Sequence, residues 1–341
     1  MNGTSINISV ICPCYNEEKT IVACVESMLR QDVERGTMEL ILVDGGSTDN
    51  TRQLLKSYVE QYQYVHLLDN PKRTAPCAMN IGIRAAKGKY IVRIDAHAQY
   101  PTNYVSVLTH YLDMLPEAQN VGCASQTMPR NNSTKARAIA EVLSNRFGIG
   151  GADFRIGTNQ IKEVDTVPFG CFRRADFEQY GYYDERLTRN QDIELNSRIK
   201  RNGGKIYLIP DITLTYYARD TYKDLMKNNY SNGKWNILTV NYTKQISNLS
   251  IRHFIPLIFL LCLLLPLIFC PIYPPIALIS AAAAIAYLCL FFTLSLQLSI
   301  NKHLNFIFLF AAFFLLHISY GTGSLVGILC LPFIKLCNGY T

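Results

Sequence analysis

The sequence predicts an α/β fold built on a mostly parallel sheet, followed by α-helices that cross a membrane. Three observations predict it. Through the first hundred residues, short apolar segments rich in β-branched side chains alternate with segments of helical spacing, a pattern that favours parallel strands joined by right-handed crossovers. Charge is dense as far as Arg252, after which only Lys302 and Lys335 are charged and no Asp or Glu occurs. A soluble part of about 250 residues and an apolar part of about 90 fit a bilayer better than one larger core. The polar motifs fall at the carboxyl ends of the candidate strands, where open α/β sheets bind ligands.

Taken in order, residues 8–12, 38–43, 65–68 and 90–94 read as strands. Between them, 19–31, 48–61 and 76–86 read as helices. Thr48 with Asp49, and Thr74 ahead of Pro76, mark starts for the second and third helices. Residues 120–164 are less regular, with loop composition at 130–134 and 148–151, and 165–210 form a compact segment. No internal repeat is evident. The apolar part divides into 253–271, 276–298 and 304–331, separated by a proline-rich stretch at 271–275 and by Asn301, Lys302 and His303. Three spans are expected, with Gly321 and Gly323 marking a point where the last could break. The chain therefore divides into a cytosolic domain at 1–222, a basic segment beside the membrane at 223–252, and a membrane region of about three helices at 253–335.

Composition narrows the function further. The polar start at 1–7 and the brief apolar run after it are too short for a signal peptide. The soluble part is thus expected in the cytosol, and the chain in the cytoplasmic membrane. Eleven cysteines are spread without pairing, five of them in the apolar part, and are expected to be reduced. The net charge of +7 is not gathered into one patch or arm, which argues against a nucleic-acid partner. Part of it, at Lys223, Lys227, Lys234, Lys244 and Arg252, sits just ahead of the apolar region, as the positive-inside rule and anionic lipid headgroups favour. A solvated face explains Lys223 and Lys227 equally well. The spans hold no Asp, Glu or Arg to line a transport pathway.

Five motifs carry chemistry. Pro13-Cys-Tyr15-Asn16-Glu17-Glu18 follows the first strand, Asp44-Gly-Gly-Ser47-Thr-Asp49 the second, and Asp95-Ala-His97 the fourth. Gly170-Cys-Phe-Arg-Arg174 and Asn190-Gln191-Asp192-Ile-Glu-Leu195 come later. In order, spacing and placement at strand ends, these motifs resemble glycosyltransferase family 2, of the GT-A fold, over about residues 8–217. Within that family, Asp95-Ala-His97 and the closing His317-Ile-Ser-Tyr-Gly321 resemble the bacterial transferases that build exopolysaccharides such as succinoglycan. The resemblance implies an inverting, metal-dependent enzyme that moves a hexose from a UDP-sugar to a lipid-linked saccharide. It also implies membrane lipids, and other polysaccharide-assembly proteins, as partners.

The resemblance gives each motif a role. On the donor side, the family's residue at the place of Asp44 accepts hydrogen bonds from uracil. Capping the helix near Thr48 is the other reading of Asp44, but Ser47 or Thr48 already supplies a cap. Pro13, Tyr15, Asn16, Glu17 and Ser47 belong to the same nucleotide site, although Glu17 and Glu18 also suit a helix N-terminus. Lys72, Arg73 and Asn80 lie between the third and fourth strands, where a cation could meet the diphosphate, and an arginine fork suits phosphate oxygens. A solvated loop accounts for Lys72 as well.

Asp95 and His97 stand where the family has Asp-x-Asp holding a divalent metal. Alternate residues of an extended segment face the same way, so both are expected to meet one ion. The ion's Lewis-acid role is to neutralise the leaving diphosphate. Histidine in the second place favours Mn²⁺ over Mg²⁺, though a His beside an Asp is often only a hydrogen-bonded pair. Asp192 is the expected catalytic base. The family has Glu-Asp ahead of a helix here, and Gln191 replaces the first acid. Capping the helix at 193–201 is the alternative, for which Asn190 is available.

On the acceptor side, Gly170 would allow close approach and Gln191 would flank it. Ser231-Asn-Gly-Lys-Trp235 occupies the place of Gln-x-x-Arg-Trp in processive relatives, and only Trp235 is kept. It would be a platform for an acceptor sugar or an anchor at the membrane interface. The altered motif argues against a processive synthase. A transferase that charges a polyprenyl phosphate directly is one alternative; a catalytically inactive nucleotide-sugar-binding scaffold is another, against which the presence of both Asp95 and Asp192 speaks.

Overall fold

The computed structural model describes residues 5–150 and 152–337. The chain runs β1 (Ile8–Cys14), α1 (Ile21–Leu29), β2 (Met38–Asp44), α2 (Thr51–Gln61), β3 (Val65–Asp69), α3 (Ala75–Ala85), β4 (Tyr90–Arg93), β5 (Ala98–Gln99), α4 (Tyr104–Met114) and β6 (Ala118–Met128). It continues through α5 (Thr134–Val142), α6 (Arg146–Ile149), α7 (Asp153–Ile156), β7 (Lys162–Glu163), β8 (Cys171–Arg173), α8 (Arg174–Tyr180), α9 (Gln191–Arg201) and β9 (Lys205–Tyr217). The last helices are α10 (Tyr222–Thr243), α11 (Ile255–Phe269), α12 (Ala277–Lys302) and α13 (Phe306–Cys337).

Two compact units result. One holds the residues up to Gln126 together with Asp153–Tyr216; the other holds Thr127–Ala152 and the chain from Tyr217 onward. Residues 127–152, grouped by sequence with the first 222, thus associate with the C-terminal helices. The reason is apolar: Ala138, Ile139 and Val142 of α5 share one core with Leu309, Ala312 and Phe313 of α13.

The first unit is built on a sheet that contains nine strands among the described residues, in the order β3-β2-β1-β4-β8-β6-β9-β5, with β7 on β9. β3, β2, β1 and β4 run parallel. The pairings β4–β8, β6–β8, β5–β9 and β7–β9 are antiparallel, so the parallel half continues into an antiparallel one. Alternation along the strands feeds two cores. Val10, Leu40, Leu42 and Val92 pack with α1 and α4, while Ile11, Ile41, Val43 and Ile91 pack with α3, α8 and α9. All seven residues of β2 are buried, as a parallel strand covered on both faces requires. Glu39, an acid inside it, is satisfied by Ser9 Oγ at 2.6 Å and Lys87 N at 2.7 Å. Strand order reverses between β1 and β4, and this switch opens a crevice at their carboxyl ends.

The second unit is helical. α10 and α13 cross with their backbones touching. A Cβ on Gly233 would lie 2.0 Å from Tyr320 O, and one on Gly323 would lie 2.0 Å from Tyr230 O, so only glycine permits this approach. The basic segment expected at 223–252 is therefore mostly one helix laid on an apolar one. Two helical stretches among the described residues are long and apolar enough to cross a membrane, Pro274–Lys302 and Phe306–Phe333. α11, the first expected span, has 15 residues, or about 22 Å of helix against a hydrocarbon core of about 30 Å. Lys302, at the end of α12, pairs with Glu141 of α5 at 2.7 Å. His317 of α13 sits between the Tyr287 hydroxyl at 3.1 Å and Phe147 O at 3.0 Å.

Candidate active site

The loops after β1 and β2 are laced together at the mouth of the crevice. Asn16 takes a left-handed backbone; its N–H donates to Ser47 Oγ at 2.9 Å, and its side-chain oxygen accepts from Thr48 N at 2.8 Å. The Glu17 N–H donates to Thr51 Oγ1 at 2.7 Å. Pro13 remains inside β1, opposite Val43. Tyr15 is 43 % exposed and lies against Gly45, where an added Cβ would come 3.3 Å from its ring. Arg73 also has a left-handed backbone and arches over the same glycines, with Nε 3.7 Å from where a Gly46 Cβ would stand. An exposed ring and an exposed guanidinium thus flank one glycine step, an arrangement suited to a base and a diphosphate.

Asp44 is not free, as the sequence suggested. Its carboxylate is fully buried and accepts from Ser47 Oγ at 2.6 Å, from Ser47 N at 3.2 Å and from Arg52 at 2.8 Å. Arg52 reaches Asp69 as well, at 2.6 Å. Asp44 therefore fixes the shape of the loop that carries Ser47. Asn80 is likewise engaged inside the protein, donating to Tyr183 O at 2.9 Å and Glu185 Oε1 at 3.1 Å and accepting from Tyr183 N at 3.0 Å. Lys72 pairs with Glu185 at 2.7 Å, which leaves Arg73 as the cation of that loop turned toward the glycine step.

β4 ends at Arg93, and Asp95 to His97 form a turn rather than an extended segment. The Ala98 N–H donates to Asp95 O at 3.3 Å, and the Asp95 N–H donates to the Tyr100 hydroxyl at 2.7 Å. The expected alternation therefore does not align positions 95 and 97; the turn presents them. His97 Nδ1 lies 3.3 Å from Glu17 Oε1, and Asp95 Oδ1 lies 3.4 Å from Arg93 Nη2. Burial alone would raise the Glu17 carboxyl, but His97 and the Thr20 hydroxyl outweigh it and hold the group below its ordinary value. No group of three or more His, Cys, Asp or Glu placed to hold a metal occurs among the described residues. Asp95 and His97 are both partly exposed; an oxygen and an imidazole nitrogen are donors that could hold a divalent cation, and the imidazole would suit Mn²⁺.

Asp192 stands in the first turn of α9, where its Oδ1 accepts from Ile193 N at 3.0 Å. Asn190, expected as an available cap, has a left-handed backbone and makes no side-chain cap bond. Asp192 lines a small cavity with Arg93, Asn120, Gly170, Tyr183 and Asn196. Gly170 has a reason other than an approaching acceptor: a Cβ there would meet Asn120 Oδ1 at 1.9 Å. Gln191 is buried with Oε1 unpartnered. Trp235 belongs to α10 of the second unit, where it stacks on Tyr242 with ring centroids 6.5 Å apart.

The sequence reading passed over Arg93, Arg52 and Tyr183. For Arg93 a signal existed, since a charge inside the apolar run Ile91-Val-Arg-Ile94 is rare in a buried strand. Arg52 looked like an ordinary surface charge on α2, because its partner Asp69 comes from another strand.

A parallel half-sheet with this switch point and an antiparallel extension, with acidic loops at the carboxyl ends, is the architecture of the GT-A fold. The fold is similar to that of the mannosyltransferase PcManGT from Pyrobaculum calidifontis, solved with GDP-Man and Mn²⁺, with a TM-score of 0.61 and 17 % identity over 94 % of this chain and 87 % of that one. Residues 9–181 match the family described as Glycosyl transferase family 2. The chain is 30 % identical over 257 residues to "Succinoglycan biosynthesis protein ExoA" of Rhizobium meliloti (strain 1021), covering 74 % of this chain and 76 % of that protein. It is 29 % identical over 234 residues to a Methanococcus voltae protein named dolichyl N-acetyl-alpha-D-glucosaminyl phosphate 3-beta-D-2,3-diacetamido-2,3-dideoxy-beta-D-glucuronosyltransferase, covering 66 % and 71 % respectively. The chain belongs to glycosyltransferase family 2.

Proposed function

We propose that the protein is an inverting transferase that moves a hexose from a UDP-sugar to a lipid-linked saccharide at the cytoplasmic membrane, in the assembly of a surface polysaccharide. One observation carries the reading: Asp95, just beyond β4, lies 3.4 Å from the buried Arg93, and Asp192 at the start of α9 lines one small cavity with the same arginine. In this mechanism Tyr15 stacks on the base and Arg73 meets the diphosphate. Asp192 takes the proton of the acceptor hydroxyl as its oxygen attacks the anomeric carbon, and the diphosphate departs on the opposite side. A divalent cation held by Asp95 and His97 would supply charge neutralisation for that leaving group.

The Rhizobium relative, by name a succinoglycan biosynthesis protein, and the Methanococcus relative, by name a transferase onto a dolichyl-linked sugar phosphate, support the acceptor class. The two apolar helices of the second unit support a membrane location. The test incubates membranes bearing the wild type or Asp192→Asn with a panel of UDP-sugars, Mn²⁺ or EDTA, and a lipid-linked saccharide extract. Mn²⁺-dependent labelling of lipid that falls about 1,000-fold or more in the variant, with UDP binding kept, is expected. Labelling that survives Asp192→Asn removes Asp192 as the base, and labelling of undecaprenyl phosphate alone moves the acceptor to the bare lipid phosphate.

A further inference from the structure

Arg93 closes β4 in the centre of the sheet, paired with Ile11 of β1 and donating its N–H to Gly170 O at 3.0 Å. The residue is only 6 % exposed. Nη2 lies 3.4 Å from Asp95 Oδ1, and the guanidinium carbon stands 5.9 Å from the Tyr183 ring centre. Nε and Nη1 are buried without a hydrogen-bond partner. The small cavity that Arg93 shares with Asp192 is also lined by Asn120, whose Oδ1 is buried and unpartnered.

Burial of an arginine costs several kcal/mol, and a wholly apolar set in place of the arginine and its carboxylate is often neutral or better for stability. Packing therefore does not account for Arg93 among Ile91, Val92 and Ile94.

We propose that Arg93 is a positioning residue of the transfer reaction, a permanent cation that fixes Asp95 on the donor side and Asp192 on the acceptor side and turns its remaining N–H donors to the oxygen that enters their shared cavity. This rests on the roles of Asp95 and Asp192 proposed above. Two consequences have opposite signs. The cation sets the geometry of both carboxylates, so its loss slows transfer. It also repels a divalent ion at Asp95, so its loss tightens metal binding.

The test compares full-length wild type, Arg93→Met and Arg93→Lys in detergent, measuring transfer kinetics, Tm, and the Mn²⁺ dependence of the thermal shift caused by UDP. Arg93→Met is expected to stay folded with a lower Tm, because Asp95 loses its counter-charge, to lose about 100-fold in kcat with donor KM changed less than about 3-fold, and to need several-fold less Mn²⁺. Arg93→Lys, which keeps the charge but not the fork, is expected to lose about 10-fold in kcat and to need the wild-type amount of Mn²⁺. A kcat within about 3-fold of wild type in either variant overturns the proposal, as does a fall in kcat that comes with weaker Mn²⁺ binding. Where Arg93→Met does not fold, the kcat of Arg93→Lys decides alone. A wild type that binds UDP but transfers no sugar overturns the proposed function instead. The Mn²⁺ dependence of UDP binding then judges Arg93, with tighter binding in Arg93→Met supporting it and unchanged binding overturning it.

Discussion

His97 Nδ1 stands 3.3 Å from Glu17 Oε1, so one side-chain pair ties the turn after β4 to the loop after β1. The pair couples the turn that holds Asp95 and His97 to the loop that presents Tyr15. Aspartate at position 97 would set two carboxylates against each other and offer a harder oxygen ligand. His97→Asp is therefore expected to lower Tm without metal and to raise the ratio of Mg²⁺- to Mn²⁺-supported transfer by about 10-fold or more. Activity ratios and metal-dependent thermal shifts check both effects. An unchanged ratio would remove His97 from the metal's ligands.

The buried Asp44 relies on Arg52, which also holds Asp69. Arg52→Leu strands a desolvated carboxylate beneath the Ser47 loop. A loss of about 2 kcal/mol, less than for a fully buried pair because Arg52 is partly exposed, is expected in urea unfolding. UDP affinity should fall with it, since Ser47 and Asn16 lose their frame. Wild-type affinity in Arg52→Leu would detach the loop from donor binding.

The Glu185 carboxyl is pulled from 4.5 to about 2 by Lys72 and then Asn80. A depressed carboxylate contributes stability above its unfolded pKa and loses it as pH falls through the folded one. The contribution is thus present at pH 7 and fades between 4.5 and about 2. Glu185→Gln should lower the urea midpoint at pH 7 and converge on wild type toward the acid end of that window. A gap that widens with acidity would reverse the assignment.

At the α10–α13 crossing, Gly233→Ala places a methyl group 2.0 Å from Tyr320 O. Forcing backbones apart in this way should cost about 1–3 kcal/mol. Thermal unfolding in detergent and limited proteolysis between α10 and α11 would register the loss. A fully stable Gly233→Ala would mean that the crossing opens without cost.

Periodicity made the parallel strands readable, because β1, β2 and β4 are continuous apolar runs buried on both faces. In the antiparallel half β7 and β8 were not readable, since they have two and three residues and take their conformation from their neighbours. Motif spacing singled out the loops after β1, β2 and β4 but not every side chain's partner. Asp44 was expected to face a ligand, while its actual partner Arg52 comes from the following helix. Gly170 was expected to admit an acceptor, and the close packing of Asn120 against it was not foreseen. Asp95 and His97 were aligned by strand alternation, but the strand has already ended. In each case the deciding group lies on another element or in a turn, where period-based reasoning does not reach.

The interleaving of the two units sets an order of events in synthesis. α5 leaves the ribosome well before α13, whose Leu309, Ala312 and Phe313 cover its Ala138, Ile139 and Val142. At ordinary elongation speeds that interval is on the order of ten seconds. Throughout it, a nascent chain carries on α5 an apolar face with no partner yet made, which a chaperone or the bilayer surface must shield until the final helix arrives.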